Sequence, residues 1–144
     1  MNIFTGIFTS LLLFSSLSVF SQESLEEYAV NSFDFDFNKM SKNEFRHVSL
    51  SCAAVYAFAG SMDFQKEKNG ERMTDFMAMI LFYYEDKFPN EDIDFHVYEM
   101  NKDLEPYHIK YRSKSIEEFR NSGKTFSDLH IADMVFCDYI LEEQ

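Results

Sequence analysis

His130, Asp133 and Cys137 stand at i, i+3 and i+7 near the carboxyl end of the chain. On a helix this spacing places all three on one face. Imidazole, carboxylate and thiolate together are a ligand set for a zinc-type ion. Without the sulfur, His130 and Asp133 form an acid-base pair of the kind a hydrolase uses. The set has a competitor. Cys52 and Cys137 are the two cysteines, and in an oxidising compartment such a pair is joined, after which its sulfur is no longer a ligand. The expectation is therefore a disulfide, no metal, no cofactor and no catalytic site. The alternative is a metal-binding protein or hydrolase using His130 and Asp133.

The remaining candidates are weaker. His47, His96 and His108 each lack a second ligand-type side chain at a recurring spacing. Asp34 with Asp36, and Asp92 with Asp94, lack the spacing and glycine of a calcium loop. Beyond residue 21 the glycines are Gly60, Gly70 and Gly123, too few for a phosphate-cradling loop. No nucleophile elbow or zinc-protease helix occurs. Tyr107, Lys110, Tyr111 and Arg112, followed by Lys114, make a basic, aromatic stretch in an acidic chain. Tyr and Arg are favoured at interface centres, so this stretch is the candidate partner surface.

These residues need elements to position them, and the hydrophobic pattern supplies helices. Pro89 and Pro106 are the two prolines, and a chain so poor in Pro and Gly does not suit many short strands. Residues 23 to 31 read as a short helix, and Phe33-Asp34-Phe35-Asp36-Phe37 alternates as an extended segment. Ser41-Lys42-Asn43-Glu44 is a capping box. After it, Phe45, Val48, Cys52, Val55, Ala59 and Met62 form one apolar seam, widened by Phe58. A second helix is expected from near Gly70 to Phe88, striped by Met73, Phe76, Met77, Ile80, Leu81, Tyr84 and Phe88. Residues 91 to 104 and 113 to 121 read as two further helices, the latter ended by Gly123. The last helix opens near Thr125 or Ser127 and reaches Glu142; apolar nearly all round, it is expected to be central. The expected fold is thus all-α, a bundle of about five helices with a Cys52–Cys137 staple. The alternative is α+β, with one hairpin pairing 93–98 with 107–112.

The amino end bears on compartment. Residues 3 to 20 are an apolar run interrupted by Ser and Thr, followed by a polar zone and then acidic residues from Glu23. This is the layout of a secretory signal, expected to be cut between Ser21 and Gln22. The run is short and hydroxyl-rich for a membrane span, which takes roughly 20 apolar residues. The first Lys or Arg is Lys39, so the positive flank is the terminal amine alone, and a retained signal-anchor is the alternative. Residues 22–40 and 41–144 are read as one exported domain, periplasmic or extracellular. Its 25 acidic against 13 basic residues give a net charge of −12. That surface repels nucleic acid and anionic lipid and favours a partner with a basic surface.

A small exported, acidic helical chain without a catalytic motif reads as a protein-binding module, such as an inhibitor or immunity-type protein. In general layout it resembles the all-helical periplasmic immunity proteins that neutralise secreted cell-wall amidases. The likeness spans roughly residues 44 to 143 and rests on Cys52 in an early helix, Cys137 in the last, the helix order, and Tyr83-Tyr84-Glu85. It implies a protein partner and assigns no contact residue. A structural or chaperone-like envelope factor, with the Phe33 to Phe37 segment as a docking arm, is a further alternative.

Overall fold

The computed structural model describes Leu25 and residues 39 to 142. The leader and the 33–37 segment lie outside the described residues, as does the 23–31 helix apart from Leu25, which is fully buried in the core. Among the described residues the architecture is all-α. Its four helices are α1 (Lys42–Ser61), α2 (Lys66–Lys87), α3 (Ile93–Ser122) and α4 (Asp128–Glu142). None is long and apolar enough to cross a membrane.

α1 opens on the expected capping box: the Glu44 amide donates to Ser41 Oγ at 3.3 Å, and the Ser41 amide donates to Glu44 Oε2 at 2.8 Å. From Val48 to Tyr56 every side chain is buried. The expected seam covers one side of α1, and Ser49, Ser51, Ala53 and Ala54 are small enough to let neighbours approach the others. α1, rather than α4, is therefore the central element, and it packs against all three other helices. The reason lies in charge. No ionisable carboxylate, Lys or Arg occurs between His47 and Ser61, whereas α4 carries Asp128 on its outer side, where Ile131 and Val135 also stand exposed.

α2 starts at Lys66, before Gly70, which falls inside the helix. Phe76, Ile80 and Tyr84 are fully buried, while Met73, Met77, Leu81 and Phe88 pack partly buried against the core, as the stripe requires. The 62–65 turn into α2 holds Asp63 and Gln65 at positive φ, and buried Asn69 steadies it by donating Nδ2–H to the Phe64 carbonyl at 2.6 Å.

α3 corrects the sequence reading. The stretches 91–104 and 113–121 are not two helices but parts of one, which runs through Pro106. The hairpin alternative falls with this, since 93–98 and 107–112 are both helical. Proline removes the amide that would bond the carbonyl of Lys102, but Lys102 and Pro106 both lie on the exposed side, where water can serve that carbonyl. Asp92 caps the start by accepting from the Phe95 amide at 2.9 Å, and Gly123, at φ +75°, ends the helix. Cys137 of α4 meets Cys52 of α1 in a disulfide with a Cα–Cα distance of 5.6 Å.

Two polar nodes tie the helices together. In one, Tyr84 of α2 and Arg46 of α1 both donate to the Asp103 carboxylate of α3. Burial would raise the Asp103 carboxyl, but the bonds from Tyr84 and Arg46 outweigh it and hold the group below its ordinary range. In the other, Tyr56 of α1 and Arg72 of α2 converge on the Asp138 carboxylate of α4. Burial first, and the adjoining carboxylate second, push both phenols above their ordinary values.

Candidate functional site

The third node is the one that contains the ligand-type residues. Because α3 continues past Pro106, Lys110 and Tyr111 face His130 and Asp133 of α4. Tyr111 donates its hydroxyl to Asp133 Oδ2 at 2.7 Å, and Lys110 Nζ lies 3.9 Å from the same oxygen. Asp133 is deeply buried, its side chain 1% exposed, and that of Lys110 is 13% exposed. Burial, then the Asp133 charge, lift the Tyr111 phenol well above its ordinary value.

The bonds around His130 settle its tautomer. The Ser127 backbone amide donates to Nδ1 at 3.2 Å, so Nδ1 is an acceptor, and it also takes the Ser127 hydroxyl at 2.7 Å. Nε2 therefore carries the proton and donates it to the Tyr111 carbonyl at 3.0 Å. Burial keeps the ring below its usual pKa. The bond to the Tyr111 carbonyl opposes this, and the nearby Lys110 charge reinforces it. Phe58 lies against the ring at 4.8 Å between centroids.

His130, Asp133 and Cys137 thus share a buried face, as their spacing requires, but each is already bonded. The sulfur is in the disulfide, both imidazole nitrogens have partners, and the carboxylate accepts the hydrogen bond of the Tyr111 hydroxyl. Among the described residues no group of three or more His, Cys, Asp or Glu is placed to hold a metal. Asp92 serves as a helix cap. His47 Nδ1 bonds the Tyr107 hydroxyl at 2.8 Å, and His96 donates Nε2–H to the Phe88 carbonyl at 2.9 Å, closing the α2–α3 turn.

The candidate partner surface Tyr107, Lys110, Tyr111 and Arg112 is split by the helix. Tyr107 and Tyr111 belong to the core and Lys110 is largely enclosed, leaving Arg112 as the member on the outside. Neighbouring residues of a helix point in different directions, so a basic, aromatic stretch contiguous in sequence is divided between the core and the outside. Arg112 keeps different company from that expected. Ile109, Ile116 and Phe119 lie three, four and seven residues from it, which places the four on one face of α3. The three apolar side chains are 56%, 47% and 62% exposed. Just inside Arg112, Ala57, Phe58 and Ser61 of α1, Met62 immediately after it and His108 of α3 line a cleft of about 200 Å³.

The two outer nodes had no signal in the sequence, because each joins residues of three helices that are far apart in the chain. The α3 face had one: Ile109, Ile116 and Phe119 keep helical spacing outside the buried stripe of the same helix. Compared with protein-family models, curated proteins and solved structures, the chain matches none.

Proposed function

We propose that this chain is an exported protein-binding module of the inhibitor or immunity type, acting in the periplasm or outside the cell on a partner that presents a basic surface. The observation that carries this reading is the outer face of α3. Ile109, Ile116 and Phe119 surround Arg112 on a helix whose inner face is anchored through Tyr111 and Asp103. Exposed apolar side chains grouped around an arginine on a rigid element are the composition of an interface centre, and rigidity lowers the ordering cost of binding. The disulfide is consistent with an oxidising compartment. The net charge of −12 favours encounter with a cationic surface.

The test is parallel capture from an envelope extract by the wild-type chain and by Ile116→Asp and Phe119→Asp variants. Both positions are exposed, so helicity should not change. A protein recovered with the wild type and lost from both variants supports the reading. Equal recovery on all three overturns it. Export is tested separately: the secreted chain should begin at Gln22 in intact mass and take up no alkylating reagent before reduction.

A further inference from the structure

The outward side of α3 carries a repeat that its buried stripe does not use. Lys102, Glu105, Ile109, Arg112, Ile116 and Phe119 follow one another at alternating spacings of three and four, and all six are exposed. That is the period at which one helix lays a seam on another. The charges along it are sorted by half. Glu105 precedes the apolar residues, whereas Arg112 stands among them and Arg120 follows directly after Phe119. Lys102 and Lys114 are taken up within the helix, by Glu99 at 3.2 Å and Glu117 at 2.9 Å. Among the described residues Glu105, Arg112 and Arg120 have no ion-pair partner. The seam thus offers three apolar side chains, one uncommitted carboxylate at one end and two uncommitted guanidiniums toward the other.

We propose that this seam pairs with the same seam of a second copy of the chain, the two α3 helices running antiparallel about a twofold axis between Arg112 and Ile116. In that register Ile109 meets Phe119 of the second copy, and Arg112 lays its aliphatic stem on Ile116 while its guanidinium reaches the rim. Glu105 of each copy then stands beside Arg120 of the other, which gives two symmetric ion pairs. The direction follows from the sorting of charge. A parallel pair would set Glu105 on Glu105 and Arg120 on Arg120, and both contacts repel. The net charge of −12 does not forbid the pairing, because its reach is only about 8 Å at physiological ionic strength. Residues 105 to 124, the stretch around the axis, hold three acidic and five basic side chains, so the general acidity of the chain is not what meets the second copy. Naming a second copy as the occupant goes beyond the reading of α3 as a surface for another protein. That protein, docking on the same face, would have to displace it.

The test is sedimentation velocity of the oxidised chain over a concentration series that reaches the millimolar range. The wild type should pass from monomer to dimer, and Ile116→Asp should stay monomeric. Glu105→Arg and Arg120→Glu each make both ion pairs repulsive, and each should weaken the dimer about tenfold. Mixed in equal amounts, these two variants should recover a mixed dimer, because each then offers the other an opposite charge at both contacts. All three positions are exposed, and every variant should keep the wild-type helical circular dichroism. Rescue by mixing reads self-pairing alone, so this proposal and the reading of α3 as a surface for another protein fail separately. A monomer at every concentration overturns the pairing and leaves the capture result standing. The pairing is equally overturned if Ile116→Asp dimerises as well as the wild type, or if the mixture associates no better than its components.

Discussion

Asp133 is a carboxylate with 1% of its side chain exposed, held by a phenol and an ammonium group. A buried charge is tolerable only with such partners, and removing one member of the set is costlier than the set is worth. Asp133→Ala should lower the stability measured by urea unfolding by about 3–5 kcal/mol. Tyr111→Phe, which deletes one donor and keeps the ring, should cost roughly 1–3 kcal/mol. Equal, small losses for both would contradict a central role for the carboxylate. The imidazoles set a pH dependence. His108 and His130 both have folded pKa values below the ordinary 6.5. Below 6.5 the unfolded chain therefore binds protons that the folded chain refuses. Their contribution is at its full value above 6.5 and is lost as pH falls toward the folded values. His130→Gln should reduce this slope in urea midpoints measured between about pH 7.5 and pH 5. At this scale the sequence was legible where chemistry is local: the Ser41–Glu44 box, the shared face of His130, Asp133 and Cys137, and the cysteine pair. It was not legible where partners are distant, as for Asp103 and Asp138, whose phenols and guanidiniums come from other helices.

At the scale of elements, punctuation misled and periodicity did not. Pro106 and Gly70 were read as boundaries because each disfavours helix, yet both lie inside helices. Pro106 is on the wet side of α3, and a Cβ added to Gly70 meets nothing within 4 Å. Local propensity lost to the apolar face on the other side of each helix. The corollary is that both positions hold removable cost. Pro106→Ala should raise stability by about 1–3 kcal/mol and Gly70→Ala by roughly 0.5–1 kcal/mol. Gly123→Ala should go the other way by about 1–2 kcal/mol, since φ there is +75°. Thermal unfolding of the three variants checks the signs. If Pro106→Ala is destabilising, the proline is shaping α3 rather than merely being tolerated. The stripe of α2 was read correctly from its spacing. The centrality of α1 was missed because runs of Ser and Ala look weak on any hydrophobic scale while permitting the closest packing.

At the scale of the molecule, the disulfide closes a separation of 85 residues between the first and last described helices. In the chain-entropy model it stabilises the fold by about 4–5 kcal/mol, a large part of the roughly 5–15 kcal/mol typical of a domain. Reduction, or Cys52→Ala with Cys137→Ala, should lower the urea midpoint accordingly. A midpoint that does not move would mean that the Asp138 node and the packing around it fix α4 on α1 without the covalent bond. Those nodes also turn the chain into its own optical gauge. It has eight tyrosines and no tryptophan, and each node sequesters one phenol, Tyr56, Tyr84 or Tyr111, whose proton is held beyond its ordinary pKa of 10.0. In alkali, exposed phenols redden the near-ultraviolet absorption first. These three stay colourless until the bundle itself gives way, so the lagging part of the tyrosinate signal reports the integrity of the helix junctions without any added label.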